Sequence, residues 1–303
     1  ALLGVVIPFG LGYVVSALLL TEQPVTLHLF IGATLVATSV GITARVLKDL
    51  DAIHSAEAKL ILGAAVIDDV LGLIVLAVVT GIVVTGAVQV GEIVKISLLS
   101  AAFFAALIVG GNRYMPRLAS AFRHLEARNL TLLFPLIVAF IVAWAANLIG
   151  LATIIGAFAA GLIVNEEHFS GADTERGSPL AILAPLEALF APVFFVLVGM
   201  QVNLQSFLDP DTLWLACGFT IAALIGKLAA GWGAKPGVDK LSVGIGMIPR
   251  GEVGLIFASI GKGLGVVTDA VFSAVVVMVI VTTLVAPLGL KRSLARHAAA
   301  GQS

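Results

Sequence analysis

The chain contains ten apolar stretches long enough to form membrane-spanning helices, and no other feature restricts its fold as much. A transmembrane helix needs about 20 mostly apolar residues. Only 12% of the 303 residues are charged, against roughly 25% in soluble domains, so we predict an all-α membrane protein. The expected spans are Leu2–Leu20, His28–Val46, Ala58–Thr85, Val90–Tyr114, Asn129–Ile149, Leu151–Val164, Leu180–Gln201, Asp211–Gly233, Val238–Gly261 and Val267–Leu290.

The positive charges alternate between the connections of this predicted bundle. Lys and Arg are retained on the cytoplasmic side, whereas acidic residues have little influence. The odd-numbered connections hold only Lys95 and Lys262. The even-numbered connections and the C-terminal tail hold Arg45, Lys48, Lys59, Arg113, Arg117, Arg123, Arg128, Arg176, Lys235, Lys240, Lys291, Arg292 and Arg296. The pattern predicts a multi-pass protein with both ends of the chain in the cytoplasm, and we expect it in a prokaryotic inner (plasma) membrane.

The charge balance excludes polyanions as partners. The 17 Lys and Arg residues are offset by 18 Asp and Glu residues, which leaves no basic surplus to hold a nucleic acid. The longest polar connection, residues 165–179, is a loop rather than a soluble domain. The chemistry is therefore expected inside the membrane, without a cofactor.

Two adjacent acids, Asp68 and Asp69, lie about ten residues into the third span, close to the middle of the bilayer. Ionisable residues at this depth cost at least about 2.5–3.5 kcal/mol each on insertion scales, so they occur mainly beside a cavity or a partner. Two neighbouring carboxylates cannot both be charged without a counter-ion. A metal ion, a proton or a lysine would each meet this requirement, and an arrangement open to all three can exchange one for another.

Lys227 is the only lysine at depth, and it needs an anionic partner. Pairing with Asp68 or Asp69 is the interpretation we favour. The alternative is that the side chain reaches towards the cytoplasmic surface, since its span ends near Gly233.

Three further charges, Arg250, Glu252 and Glu187, lie within the predicted spans. We expect them to serve structure. An arginine fixed near free backbone carbonyls, or near a buried carboxylate such as Glu187, would hold the domain together.

Two spans carry signals for interrupted helices. The second reads GATLVATSVGITARVL and places the hydroxyls of Thr38 and Ser39 at depth. The ninth reads SVGIGMIPRGEVGLIF, where glycines surround Pro249, which lacks a backbone donor. Irregular backbone inside a membrane is tolerated only beside a cavity, and paired interruptions in two halves of a chain indicate a transporter site.

The two interrupted spans occupy corresponding places. The second is the middle of spans one to three, and the ninth is the middle of spans eight to ten. Because seven spans separate the two middles, the two three-helix groups have opposite orientations in the membrane. The sequence therefore predicts inverted three-helix repeats with two discontinuous crossing helices.

Five segments resemble the second family of monovalent cation:proton antiporters, the NapA- and Kef-type sodium or potassium/proton exchangers. They are ATSVGITARVL, AAVIDDVLGLIVLAVV, APVFFVLVGMQVNL, IGKLAAGWG and GMIPRGEVGLIFA, in this order. Members of that family typically have thirteen helices, so the resemblance implies that the first three are missing from this chain. The resemblance also implies a homodimer.

The resemblance assigns roles to residues and segments. Asp69 resembles the essential cation- and proton-binding aspartate, Asp68 its neighbour, and Lys227 the lysine that pairs with that neighbour, while Thr38 and Ser39 fall where further oxygen ligands are expected. Residues 1–87 and 207–292 would form the ion-carrying core domain, 88–127 a linker helix, 128–206 the dimerisation scaffold and 293–303 a cytoplasmic tail.

We therefore predict a secondary active transporter, not an enzyme, that exchanges Na⁺ for protons by alternating access, with a role in pH homeostasis. Asp69 and Asp68 would bind the ion, and Li⁺ or K⁺ could take its place. The alternatives are a Kef-type K⁺/H⁺ exchanger, an organic-anion/Na⁺ symporter and a channel. An aspartyl protease is disfavoured, because its two carboxylates must face each other from different helices.

Overall fold

The computed structural model describes residues 1–86, 90–123, 130–151, 153–164, 179–203, 205 and 209–300, and the regular elements in these ranges are helices. The chain divides into two compact units, one comprising Ala1–Val83 and Leu197–Ser303 (unit 1) and the other Val84–Val196 (unit 2). The helices are α1 (Leu2–Leu19), α2 (Val25–Val36), α3 (Val40–Asp49), α4 (Ala56–Thr85), α5 (Val90–Arg123), α6 (Leu130–Leu148), α7 (Thr153–Ile163), α8 (Pro179–Met200), α9 (Pro210–Leu228), α10 (Lys240–Gly246), α11 (Glu252–Gly263) and α12 (Asp269–Ala300).

Seven segments of the described chain are long and apolar enough to cross a membrane, fewer than the ten expected. Helices α6 and α7 are apolar but shorter, and the ninth predicted span is divided into α10 and α11. Hydropathy does not depend on backbone hydrogen bonding. It therefore predicts one continuous span where the backbone forms two separate helices. The all-α membrane class is confirmed, and each predicted span contains one helix or two.

The last helix is longer than expected. Helix α12 continues to Ala300 and so includes most of the predicted tail, 293–303. The loop predicted at 165–179 lies almost wholly outside the described residues, as do Arg128 and Arg176.

The helices of unit 1 approach one another closely at glycines. Gly32 of α2 lies against α1, where an added Cβ would be 2.9 Å from the Phe9 carbonyl oxygen. Gly226 of α9 lies against α1 in the same way, because an added Cβ would be 2.8 Å from Pro8 Cα. Small residues allow such close packing of helices in a membrane. They hold both α2, which ends just before Thr38, and α9, which carries Lys227, against α1.

Unit 2 contains α5, α6 and α7, together with α8 as far as Val196. The turn between α6 and α7 is made at Gly150, whose φ of 81° favours glycine. Gly156 of α7 then packs directly against the backbone of α6 at Val142 and Ala143. Leu148, Phe140 and Trp144 of α6 are exposed, as expected for side chains that face lipid rather than water.

Candidate cation-binding site at the helix crossing

The two interrupted helices of unit 1, α2/α3 and α10/α11, meet at their breaks, and we call this meeting point the crossing. Helix α2 ends at Val36 and α3 begins at Val40, while α10 ends at Gly246 and α11 begins at Glu252. The Ser39 backbone N–H donates to the Pro249 carbonyl at 2.8 Å, and the Thr43 hydroxyl donates to the Gly246 carbonyl at 2.7 Å. Each break therefore satisfies backbone groups that the other leaves without helical partners.

Arg250 connects the crossing to its surroundings. Its side chain is fully buried and donates to the Ala37 carbonyl, which lies just after the end of α2. The Arg250 carbonyl in turn accepts a hydrogen bond from the Thr283 hydroxyl of α12. This arginine lies near a free backbone carbonyl, the arrangement that we expected for a structural charge.

Asp68 lies beside the crossing in a buried ion pair. Lys227 Nζ donates to Asp68 Oδ2, and the Thr38 hydroxyl donates to the same oxygen at 2.7 Å. The side chains of Asp68 and Lys227 are 1% and 0% exposed. The ammonium also donates to the Gly4 carbonyl of α1 at 2.8 Å. Lys227 therefore pairs with Asp68 and is not exposed at the surface of the protein.

Asp69 has a different environment from its neighbour. It is half-buried, and its Oδ1 atom is buried without a hydrogen-bond donor among the described residues. Asp68 Oδ1 is likewise buried without a donor there. A buried carboxylate oxygen without a donor is costly unless a proton or a cation compensates it. These two oxygens are the atoms of this site best suited to a bare cation.

Ser39 and Glu252 form a second polar contact at the crossing. The Ser39 hydroxyl donates to the Glu252 carboxylate, at 3.1 and 3.4 Å to its two oxygens. The Glu252 side chain is exposed. Of the two predicted hydroxyl ligands, Thr38 therefore contacts the Asp68 carboxylate and Ser39 the Glu252 carboxylate.

Glu187 is not the buried carboxylate that we expected. It lies in α8 within unit 2 and is exposed. Apolar neighbours in the sequence do not distinguish a helix face that is buried from one that is exposed, which is why the prediction was wrong in this respect.

Comparison with known proteins decides the family. The model of the family described as "Sodium/hydrogen exchanger, transmembrane" matches residues 1–296. The chain belongs to the sodium/hydrogen exchanger family. This confirms the resemblance read from the five sequence segments.

Curated relatives of this exchanger-family chain are named as ion antiporters, not as enzymes. The high-affinity Na(+)/H(+) antiporter NhaS3 of Synechocystis is 40% identical over 296 residues, which cover 95% of this chain and 62% of the relative. The Na(+)/H(+)-K(+) antiporter GerN of Bacillus cereus is 34% identical over 296 residues, covering 96% and 73%. A Na(+)/H(+) antiporter of Enterococcus hirae is 32% identical over 297 residues, covering 96% and 75%. The chain thus spans about two thirds of the length of these relatives.

The position of Glu252 in this exchanger-family chain was not predicted from the sequence. We expected Glu252 to serve structure beside the break in the ninth span; its carboxylate contacts Ser39 rather than Arg250 in the described structure. A signal for it exists, since Glu252 is the first residue of α11 and acids are favoured at helix N-termini. Only the tertiary structure shows that this N-terminus lies beside Ser39.

Proposed function

We propose that this chain exchanges a monovalent cation, Na⁺ in the first place, for protons by alternating access at Asp69 and Asp68. The observation that carries the proposal is the contrast between the two acids. Both acids hold a buried Oδ1 atom without a donor among the described residues, beside two interrupted helices, but Asp68 is neutralised by Lys227, whereas the described residues provide no ion pair for Asp69.

Competition for the same oxygens would couple the two ions. A carboxylate in a poorly solvated place binds either a proton or a metal cation, and it cannot bind both at one oxygen. Occupancy by either ion neutralises the carboxylate and lowers the cost of moving it past an apolar barrier. A site that is empty and charged would therefore not cross this barrier. One kind of ion is then carried in one direction and the other kind in the opposite direction.

Lys227 would act as an internal competitor. Its ammonium occupies Asp68 Oδ2 when no cation is bound, together with the Thr38 hydroxyl. A cation that binds between Asp68 and Asp69 weakens this pair, and its departure allows the pair to form again. Thr38 and Ser39 would adjust their hydroxyl oxygens towards the ion.

Alternating access requires one part of the molecule to move relative to another. We assign the moving, ion-carrying part to residues 1–87 and 207–292, the linker to 88–127 and the dimerising scaffold to 128–206, with 293–303 as a cytoplasmic tail. The working protein would be a homodimer in a prokaryotic plasma membrane, with both ends of the chain in the cytoplasm, and it would contribute to pH homeostasis.

The Asp69→Asn variant tests the site. In proteoliposomes that contain a pH-sensitive dye, an imposed Na⁺ gradient should drive proton flux through the wild-type chain. Flux through the variant should fall to that of empty vesicles, because the amide neither ionises nor exchanges a proton with a cation. Asp211→Asn, the same chemical change at an exposed position at the start of α9, serves as the matched control and should keep the wild-type flux.

The same assay separates the alternatives. Wild-type flux in Asp69→Asn contradicts the site, and Na⁺ uptake without proton flux favours a symporter. A K⁺/H⁺ exchanger is the second candidate, because the name of GerN includes K⁺ as well as Na⁺. Larger flux with K⁺ than with Na⁺ or Li⁺ gradients would select it.

A further inference from the structure

Helix α1 contains a proline whose position matters to the lysine of α9. Pro8 lies inside α1, and a proline nitrogen carries no hydrogen. In a regular helix the N–H of residue 8 would donate to the carbonyl of residue 4. The Gly4 carbonyl has therefore lost its regular helical donor.

The Lys227 ammonium takes the place of that donor. Nζ lies 2.8 Å from the Gly4 carbonyl oxygen while it also donates to Asp68 Oδ2. Lys227 is fully buried, so each acceptor matters because water does not replace it.

Glycines on both helices bring this acceptor within reach. A Cβ added to Gly4 would be 3.3 Å from Asp68 Oδ1 and 3.7 Å from Lys227 Nζ, so the missing side chain leaves room for the ion pair. Gly226, which precedes the lysine, packs so closely on Pro8 that an added Cβ would be 2.8 Å from its Cα. The same proline thus frees the acceptor and fixes the helix that carries the donor.

We propose that Pro8 is a positioning residue for ion exchange, because it leaves the Gly4 carbonyl free as a second acceptor that holds the Lys227 ammonium when a cation occupies Asp68. This inference rests on the exchange proposed above. Asp68 loses its value as an acceptor once it is compensated by another ion, whereas a backbone carbonyl does not change its charge. Without the Gly4 carbonyl, a cation bound at Asp68 would leave the buried Lys227 ammonium without either of its two acceptors, Gly4 and Asp68.

A consequence is that Pro8→Ala should weaken cation binding. Alanine restores an N–H that competes for the Gly4 carbonyl, so displacing Lys227 from Asp68 becomes more costly. We expect the apparent KM for Na⁺ in proton-coupled flux to rise by about 3- to 10-fold, the range for loss of part of one charged hydrogen bond. Pro8→Ser adds a hydroxyl that also reaches the carbonyl of residue 4, and its effect should be at least as large.

The control variants separate positioning from a general effect on the helix. Pro116→Ala makes the same change at an exposed proline inside α5 of unit 2 and should leave the apparent KM unchanged. In a Lys227→Gln background, Pro8→Ala should have no further effect on half-saturation by Na⁺. That half-saturation is measured by the rise in unfolding temperature of the purified full chain, which requires no turnover.

Each outcome is decisive. An unchanged KM in both Pro8 variants overturns the inference, as does an equal effect of Pro8→Ala with and without Lys227. A Lys227→Gln protein that no longer binds Na⁺ contradicts the competition between lysine and cation. If wild-type protein shows no cation-driven proton flux, the exchange proposal itself fails, a result distinct from wild-type exchange that ignores Pro8.

Discussion

At the residue scale, two identical side chains next to each other in α4 have different surroundings. Successive residues of a helix point about 100° apart, so Asp68 and Asp69 face different neighbours. Asp68 meets Lys227 and Thr38 through its Oδ2 atom, and each of the two acids retains a buried Oδ1 atom without a donor among the described residues. Asp68 is thereby compensated inside the protein, and we propose that Asp69 is compensated by an ion from outside.

A third aspartate, Asp209, stabilises the helix that carries Lys227. It precedes Pro210 at the start of α9, and its Oδ2 accepts hydrogen bonds from the Thr212 hydroxyl at 2.9 Å and the Thr212 N–H at 3.2 Å. The Thr212 side chain and then its backbone N–H hold the pKa of Asp209 below its usual value. The ionised carboxylate is therefore favoured in the folded chain.

The sign of the resulting pH dependence follows from this lowered pKa. The stabilisation by Asp209 is complete above the pKa of the unfolded chain, and it is lost as the pH falls through the lower pKa of the folded chain. At pH 7, Asp209→Ala should lower the unfolding temperature in detergent by about 2 °C. The difference from wild type should shrink as the pH falls below about 4, the ordinary aspartate pKa.

A matched variant checks that capping, not charge, is responsible. Asp211→Ala removes the same charge from the same first turn but leaves the Asp209 carboxylate in place. Its unfolding temperature should fall less than that of Asp209→Ala at pH 7. Equal losses in the two variants would show that the hydrogen bonds to Thr212 contribute little.

At the element scale, the site depends on two helices that stop and restart inside the unit. The break between α2 and α3 and the break between α10 and α11 exchange the contacts that a continuous helix would have made within itself, as Ser39 and Pro249 show. Neither break would be stable without the other, because an unpaired backbone group away from water is costly. The packing of α2 against α1 therefore matters to the site, because it positions the break between α2 and α3.

Gly32 is a suitable position to test this packing. An added Cβ would be 2.9 Å from the backbone oxygen of Phe9, and a backbone atom of α1 cannot move as a flexible side chain would. We expect Gly32→Ala to lower the free energy of unfolding by about 1–3 kcal/mol, the usual cost of overpacking. Thermal or denaturant unfolding of the purified protein measures it.

The control lies in the neighbouring helix. A Cβ added to Gly10 of α1 has nothing within 4 Å, so Gly10→Ala should be neutral or should stabilise the helix by up to about 1 kcal/mol. If Gly32→Ala unfolds like Gly10→Ala, the close approach of α1 and α2 does not limit stability.

At the scale of the whole molecule, the distribution of positive charge predicts which side of the membrane each connection faces. Glu22 lies in the connection between α1 and α2, and Lys235 lies in that between α9 and α10; both are exposed. From the excess of Lys and Arg in the even-numbered connections we predict that Lys235 lies in the cytoplasm and Glu22 outside.

Cysteine labelling tests this orientation. In a Cys217→Ser background, which removes the only native cysteine, a membrane-impermeant maleimide should label Glu22→Cys in intact cells. Lys235→Cys should be labelled only after the membrane is permeabilised. The reverse labelling pattern would place both chain ends outside the cell and would contradict the proposed orientation of the protein in the membrane.

The sequence by itself determined the class of the protein and the candidates for its chemistry. Long apolar stretches and few charges require membrane helices, because an unpaired charge or backbone group in lipid is costly. The same cost makes Asp68, Asp69 and Lys227 conspicuous, and a proline and several glycines identify the ninth span as interrupted. These inferences needed only local composition and spacing.

Only the tertiary structure decided which of these residues meet. Asp68 and Lys227 are 159 positions apart, and Ser39 and Glu252 are 213 apart, so their contacts depend on how α3, α4, α9 and α11 pack. It also removed Glu187 from the buried charges, since hydropathy does not reveal which face of an apolar helix is covered. Helix ends and partners are set by close packing at residues such as Gly32 and Gly226, and packing between distant segments is not encoded in a local window of sequence.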